Sequence, residues 1–205
     1  MLQAQGVAAI RLYPVDDSER DPAFRAYVRK LRSAVQAHNA HALKKLVDDE
    51  VIAGPAGEPK GWKQFSAKWH PEDAESALWP ALADILALGF VREHPSLFLS
   101  PYVVWRFPRN LNRASYLVVI KDKVALRKSP SIKAPAGADV SFAIVQQIGK
   151  PQAGEGLGEW VLVRTDTGET GYLNMRDALS PTMPRAQFAK REGRWVMIAL
   201  ESEAR

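Results

Sequence analysis

The first half of the chain carries apolar residues at helical spacing. Phe24, Val28, Leu31 and Val35 recur at i, i+4, i+7 and i+11, which places them on one face of a helix. Asp21-Pro22, just before them, suits the N-cap and the first helical position. Three further helices are predicted: one that Asn39 caps and that carries Leu43, Leu46 and Val47, one that carries Trp62, Phe65 and Trp69, and one over about residues 76–88 that ends before Gly89.

Beyond Gly89 the apolar pattern changes to a period of two. Val103, Trp105 and Phe107 alternate with their neighbours, which predicts a strand that Pro108 ends. The short strands predicted after it are Tyr116–Ile120, Val124–Arg127, Val140–Ile148, Trp160–Thr165 and Thr170–Leu173, with a tight turn at Asp166-Thr167-Gly168 between the last two, and a terminal hairpin of Arg185–Arg191 and Trp195–Leu200 that turns at Glu192-Gly193. Short strands at this spacing favour a small barrel, because closure removes exposed sheet edges.

Composition excludes several classes of protein. The 205 residues include 28 Lys+Arg and 23 Asp+Glu, a formal net charge of +5, and 46% are hydrophobic, which is typical of a globular chain. No cysteine is present, which excludes disulfides, thiolate zinc sites, iron–sulfur clusters and cysteine nucleophiles. The longest basic runs are Lys44-Lys45 and Lys190-Arg191, so no nucleic-acid partner is predicted. No run approaches the roughly 20 apolar residues of a membrane helix.

The N-terminus leaves the compartment open. The first ten residues have neither the basic region nor the apolar core of a signal peptide. They are compatible with a cytosolic protein, or with an exported one whose leader is not part of this chain.

Four segments between residues 116 and 180 carry a family resemblance. They are Val124-Ala-Leu-Arg127-Lys-Ser-Pro130-Ser131, Val140-Ser-Phe142-Ala-Ile-Val145, Trp160-Val-Leu-Val163-Arg164 and Gly168-Glu-Thr-Gly171-Tyr172-Leu173. In this order and spacing they resemble the strands of bacterial SH3-like (SH3b-type) domains. The chain departs from that pattern at Ala125, where the family usually has Asn, at Lys128, where small residues are common, and in its long loop over residues 149–158.

The resemblance extends to the whole chain. It is similar to a group of bacterial proteins with a helical N-terminal region and one SH3-like domain, whose chains end in a phrase like Phe188-Ala-Lys-Arg-Glu-Gly193-Arg-Trp195. The implied fold class is α+β: a helical N-terminal domain completed by a C-terminal β-hairpin, plus a small SH3-like barrel. The expected division is a flexible segment 1–20, a helical domain 21–112 that ends in a strand, the barrel 113–180, and a hairpin 181–205 that packs back on the helical domain, with Trp105 pairing with Trp195.

SH3-like domains of bacteria are found mostly in envelope and secreted proteins, where they commonly bind peptidoglycan or partner proteins. The resemblance therefore implies a periplasmic or secreted protein, with the cytoplasm as the alternative. The expected function is a non-catalytic module that recognises a peptidoglycan-type glycopeptide or an envelope protein. Two alternatives remain: an envelope enzyme such as a wall hydrolase, with its carboxylates in the helical domain and the barrel as targeting module, and a protein–protein adaptor or inhibitor.

Four residues of the barrel are the expected ligand-binding residues. Trp160 and Tyr172 would supply aromatic faces in a groove, Arg127 a cation for a stem-peptide carboxylate, and Asn174 follows the last motif. The competing interpretation places Trp160 and Tyr172 in the core, with Arg127 covering the end of the barrel.

No catalytic residue, cofactor or metal is predicted. His38 and His41 precede Asp48-Asp49-Glu50, but both histidines fall at a helix junction where solvation is expected. The acids of that cluster and of Glu72-Asp73-x-Glu75 are the candidate acid–base pairs, and adjacent acids in polar sequence are usually exposed. The chain contains no nucleophile elbow and no phosphate-binding loop.

Overall fold

A computed structural model describes residues 10–54 and 59–202, which divide into two compact units. The helical unit comprises the described residues of 15–105 and 183–202, and the β-rich unit comprises residues 10–14 and 106–182. The division falls near residue 105 rather than at 112, and the C-terminal hairpin belongs with the helical unit. The chain is thus a mixed α+β protein with two sheets.

Five α-helices lie in the described chain. They are α1 (Pro22–Gln36), α2 (Ala40–Lys44), α3 (Trp62–Trp69), α4 (Leu78–Ala87) and α5 (Tyr102–Trp105). Two predicted caps are confirmed: Asp21 Oδ1 accepts from Phe24 N and Asn39 Oδ1 accepts from Ala42 N, each at 2.9 Å. Gly89 follows α4 with a φ of +74°, where an added Cβ would lie 2.3 Å from the carbonyl oxygen of Val15. Glycine is therefore required there. Among the described residues, no helix has both the length and the apolar character needed to cross a bilayer.

The strands build two sheets. In chain order they are β1 (Val47–Ile52), β2 (Val91–His94), β3 (Leu97–Ser100), β4 (Tyr116–Val119), β5 (Ala125–Arg127), β6 (Ala136–Asp139), β7 (Ile144–Gln147), β8 (Trp160–Arg164), β9 (Thr170–Asn174), β10 (Ala178–Leu179), β11 (Arg185–Arg191) and β12 (Arg194–Glu201). The sheet of the helical unit has the order β1-β12-β11-β3-β2, and β1 runs parallel to β12. The sheet of the β-rich unit is antiparallel, with the order β10-β4-β7-β8-β9-β5-β6.

Three strands of the first half were not predicted. The predicted second helix ends at Lys44, and Val47 begins β1 instead of continuing it. β1 hides its pattern because Asp48, Asp49 and Glu50 interrupt the two apolar positions that are buried. The short strands β2 and β3 each have only four residues, too few to establish a two-residue period.

The strand predicted over residues 103–107 is wrong. Tyr102, Val103 and Val104 are all buried in the one-turn helix α5, whose N–H groups at 104 and 105 bond to the carbonyl of Pro101. Consecutive burial, rather than alternation, is what a short helix inside a core produces. The expected pairing of Trp105 with Trp195 is also wrong, since Trp195 lies opposite Lys190 in the β11–β12 hairpin.

Two further predictions need correction. The strand predicted over 140–148 is confined to β7, because Phe142 has a positive φ of 58° that no strand accommodates. The flexible segment predicted over 1–20 falls at residues 1–9 outside the described residues. Residues 10–20 are hydrogen-bonded: Leu12 N donates to Phe142 O and Asp17 N donates to Phe90 O, both at 2.7 Å.

The two units have different cores. The core of the helical unit includes many aromatic side chains: Phe24, Tyr27, Phe65, Trp69, Trp79, Phe90, Phe98, Phe188 and Trp195. The apolar cluster of the β-rich unit is aliphatic: Leu117, Val119, Val124, Leu126, Val140, Ala143, Val145, Val161, Val163, Leu173 and Ala178. Trp160 does not belong to that cluster, although it is buried.

Candidate functional site

A cavity of about 650 Å³ lies in the β-rich unit between the turn after β4, strands β5 and β9 and the loop before β8. We call it the Trp160 cavity, and its lining residues are Lys121, Asp122, Lys123, Val124, Ala125, Arg127, Ile132, Gly156, Leu157, Trp160, Asn174, Arg176 and Asp177. Volumes of this size are typical of sites for small molecules.

Three of the four predicted binding residues meet at this cavity. Arg127, Trp160 and Asn174 line it, although they come from three different strands. Tyr172 is not among the lining residues. It is half-buried, shares a face of β9 with Asn174 two residues along, and lies opposite Arg127 of β5, but the cavity does not extend to it. The structure therefore does not place Tyr172 at the cavity with the other three.

The wall formed by Trp160 is held by the preceding loop. The backbones of Trp160 and Gln152 exchange hydrogen bonds of 2.8 and 2.9 Å. Gly154 packs so closely that an added Cβ would lie 2.5 Å from Trp160 Cδ1 and 2.2 Å from the carbonyl oxygen of Pro130. The side chain is 3% exposed, and its Nε1 donor has no hydrogen-bond partner among the described residues. Buried indole N–H groups usually have a hydrogen-bond partner, so this donor is an unsatisfied buried group of the described chain.

Asn174 fixes the other end of the loop. Its Nδ2 donates to the carbonyl of Leu157 at 2.9 Å, and its Oδ1 accepts from the backbone N–H of Arg176 at 3.0 Å. Because both ends of the amide are engaged, Asn174 acts as a brace between the loop and β9. Leu157, which is 70% exposed, is thereby presented at the cavity.

The charge of the lining is positive. Lys121, Lys123, Arg127 and Arg176 outnumber Asp122 and Asp177 by four to two. Lys121 Nζ pairs with Asp177 Oδ1 at 2.8 Å, so that carboxylate is neutralised locally. Arg127 Nη1 donates to the carbonyl of Ala134 at 3.0 Å, which uses part of its guanidinium to hold the 128–135 loop. The exposed side chains of Lys123 and Arg176 supply the remaining excess.

Sequence reasoning did not find several of these residues. Lys121, Lys123 and Arg176 were missed because they come together only when β10 pairs with β4. One signal was present in the sequence: Gly156 and Gly158 lie two residues apart in the loop before β8. Both have positive φ in the structure, and a loop of this kind brings backbone close to side chains.

The histidines of the helical unit do not assemble a site. His38 stacks on Trp79, with ring centroids 5.1 Å apart and an interplanar angle of 2°, and His41 is exposed. Within residues 10–54 and 59–202, no group of three or more acids and histidines is arranged to hold a metal ion.

The predicted acid clusters are on the surface. Glu72, Asp73 and Glu75 are exposed, and Asp73 Oδ1 accepts from the backbone of Glu75. Asp48, Asp49 and Glu50 line a second cavity of about 610 Å³, whose other charged residues are Lys44, Lys45, Arg191, Glu192 and Arg194. Asp48 lies 3.8 Å from Arg191 Nε. Acids there are matched by cations, as on an ordinary mixed surface.

Comparison with known proteins returned little. No family model and no curated protein matches the chain. Among solved structures, a designed NTF2-like protein (a five-substitution variant of Rd1NTF2_05) is 11% identical, with 90% of this chain and 99% of that chain covered and a TM-score of 0.32. A likeness at that level carries no argument about fold or function.

Proposed function

We propose that the β-rich unit is an SH3-like, non-catalytic binding module that takes a short carboxylate-bearing glycopeptide of the peptidoglycan type in the Trp160 cavity. The observation that carries the proposal is the meeting of Arg127, Trp160 and Asn174 at one cation-rich cavity. These residues were predicted from motifs far apart in the chain.

The lining matches a carboxylate ligand with an apolar portion. Lys123 and Arg176 offer cationic donors, and bonds between such donors and a carboxylate are about twice as strong as neutral ones. Ile132, Leu157 and Trp160 offer apolar contact beside them. Peptide stems of the bacterial wall combine free carboxylates with small apolar side chains. Such a ligand would contact both the cationic and the apolar side chains of the lining.

The shape of the site favours a fragment over a folded partner. A cavity of about 650 Å³ accommodates a small ligand, whereas stable protein–protein interfaces bury roughly 800 Å² on each partner over a broad surface. Among the ligands expected of SH3-like modules, we therefore favour the wall fragment.

The fold and location named in the proposal rest on the resemblance in residues 116–180. The strands β5, β7, β8 and β9 overlap the four segments that carry it. SH3-like modules of this kind belong to envelope and secreted proteins, so we propose a periplasmic or secreted site of action.

The proposal is tested by co-sedimentation with purified peptidoglycan sacculi at low and high salt. The test variant is Lys123→Gln/Arg176→Gln, which removes two exposed cations of the Trp160 cavity. The matched control is Lys128→Gln/Lys150→Gln, which removes two exposed cations of the same unit that do not line it. Arg127→Ala is a poorer test, because it also frees the carbonyl of Ala134.

We expect salt-resistant pelleting of wild type and control, and a loss of about tenfold or more in affinity for the test variant. A soluble muropeptide should shift the Trp160 indole N–H resonance in the same titration. Equal pelleting of both double variants would show that the two cavity cations do not contribute, and would overturn the proposal. Pelleting that disappears at high salt would show only a screened charge attraction, and would also overturn it.

A further inference from the structure

A cleft of about 640 Å³ lies in the helical unit, separate from the residues discussed so far as a ligand site. It runs between α1, the start of α2 and the turn that joins β11 to β12. We call it the Trp195 cleft. Its volume is within the range of small-molecule sites.

The floor of the cleft is apolar and fixed. Trp195 lies on it, with its ring centroid 4.9 Å from that of Phe24 and 5.3 Å from that of Phe98. Tyr27 donates its hydroxyl to the carbonyl of Leu46 at 2.9 Å, which joins α1 to the segment before β1. The same carbonyl accepts from the backbone N–H of Met197 at 2.9 Å. A floor held in this way keeps its shape when a ligand binds.

The Trp195 side chain also carries an unused donor. The residue is 6% exposed, and its Nε1 has no hydrogen-bond partner within the described chain. Buried donors are normally satisfied.

The rim of the cleft is cationic. Lys30, Lys45 and Arg194 line it with His41, all four are exposed, and no acid is among the lining residues. Within residues 10–54 and 59–202, the side chains of these three cations form no ion pair. Four nearby acids, Asp48, Asp49, Glu50 and Glu192, line the adjacent mixed-charge cavity that also includes Lys45 and Arg194, and Asp48 is paired there with Arg191.

We propose that the Trp195 cleft binds a small organic anion: a carboxylate head on the rim of Lys30, Lys45 and Arg194, and an apolar body on the floor of Ala26, Leu46 and Trp195. The unbalanced positive rim selects an anion over a neutral or cationic molecule of the same shape. The apolar floor selects a ligand with hydrocarbon to bury, rather than an inorganic ion.

Octanoate, 1-octanol and octylammonium test this directly, because they share a tail and differ only in head-group charge. Each is titrated into the full chain while the assigned indole N–H resonances of Trp195 and Trp160 are followed by NMR. We expect a saturable shift of the Trp195 resonance with octanoate, at least tenfold weaker binding of octanol, and no saturable effect of octylammonium.

The variant Lys30→Gln/Arg194→Gln should weaken octanoate binding about tenfold or more, whereas Arg29→Gln/Lys68→Gln removes two exposed cations elsewhere in the unit and should leave it unchanged. The absence of a saturable Trp195 shift, equal binding of octanoate and octylammonium, or equal affinity of the two double variants would overturn the proposal. The cleft shares no residue with the Trp160 cavity, so the two sites fail or succeed independently.

Discussion

The two units differ in where their aromatic residues lie. In the helical unit, Phe24 is fully buried and its ring stacks on Phe98 at 3.9 Å, with Phe90 edge-on at 5.1 Å. In the β-rich unit, the interior is filled by Val, Leu and Ala side chains, and Trp160 lies at the wall of a cavity. The helical unit thus has a core rich in aromatic residues, whereas the main apolar cluster of the β-rich unit is aliphatic and Trp160 is buried beside a cavity.

The structure bears on the two interpretations of Trp160, as a ligand-binding residue or as a core residue. Trp160 is 3% exposed, as a core residue would be, yet it lies outside the aliphatic cluster and lines the cavity. Burial and a place in the cavity lining are thus combined in one residue. Trp195 occupies both situations, since it belongs to the aromatic core and also forms the floor of the cleft.

The largest effect on the helical unit is expected from removal of the C-terminal hairpin. β12 lies between β1 and β11, and β11 lies between β12 and β3, so deletion of residues 184–205 removes two of the three inner strands of the sheet. It also removes Phe188, Trp195 and Met197 from the core. We expect the helical unit to unfold, which hydrogen exchange measures as loss of protection at the amides of α1 and β3.

Lys190→Gln is the control for this deletion, because Lys190 is exposed on the same hairpin. It should keep the protection of the wild-type chain. A truncated chain whose α1 amides exchange as slowly as in the full chain would show that the hairpin is not part of this fold.

The next largest effect is expected from Phe24→Ala. Removal of a fully buried aromatic ring should lower the free energy of unfolding of the helical unit by about 3–5 kcal/mol, through lost burial and the cavity left behind. The measurement is denaturant unfolding, followed separately through the indole resonances of Trp195 and Trp160, because two units need not unfold in one transition.

Leu126→Ala provides the aliphatic comparison in the β-rich unit, where Leu126 is 2% exposed. Its expected cost is about 2–3 kcal/mol, at the lower end for a buried leucine. If Phe24→Ala costs no more than Leu126→Ala, the aromatic cluster is not the dominant stabilising feature that its geometry indicates.

Local signals predicted the elements whose causes are local. Asp21 capping α1 and the turn at residues 192–193 were readable because neighbouring residues determine them. β1 could not be predicted, because its three consecutive acids interrupt the apolar pattern of a strand and its partner β12 lies far along the chain. α5 was misread because Val103 and Trp105 imitate alternation while burial in the core is continuous.

The candidate site divides in the same way. Arg127 and Trp160 could be predicted as site residues, because each lies in a short strand motif that is recognisable from neighbouring residues alone. Lys121 and Asp177 could not, because their ion pair exists only after the sheet brings distant segments together. Tyr172 shares a face of β9 with Asn174, but the motif does not state how far along that face the cavity extends, and Tyr172 lies outside it.

A smaller change sharpens the role of the loop over Trp160. Gly154→Ala places a methyl group against Trp160 and Pro130, at distances that require the loop to move. We expect a loss of about 1–3 kcal/mol in the free energy of unfolding of the β-rich unit, together with a shift of the Trp160 indole resonance.

Gly137→Ala is the matched control, because Gly137, like Gly154, has no positive φ. The nearest atom to a Cβ added at Gly137 is the carbonyl oxygen of Leu126, at 3.7 Å. Alanine there should be neutral or stabilising by up to about 1 kcal/mol, since it restricts the unfolded chain. The same small effect for both variants would contradict the close packing of the loop on Trp160.

The smallest expected effect concerns Asp139, at the end of β6. Hydrogen bonds from the Ser141 hydroxyl at 2.5 Å and backbone N–H at 2.8 Å, and then the nearby Arg11, hold the pKa of Asp139 below its usual value. A carboxyl whose pKa is lowered by folding stabilises the fold at pH values above its unfolded pKa, and this contribution disappears as the pH falls through the lowered value.

Because the carboxylate is exposed, Asp139→Asn should cost below about 1 kcal/mol at neutral pH. The difference between wild type and Asp139→Asn, measured by urea unfolding of the β-rich unit, should shrink below about pH 4. A difference that stays constant down to low pH would mean that the charge of Asp139 contributes nothing, and that its hydrogen bonds to Ser141 act equally well through an amide.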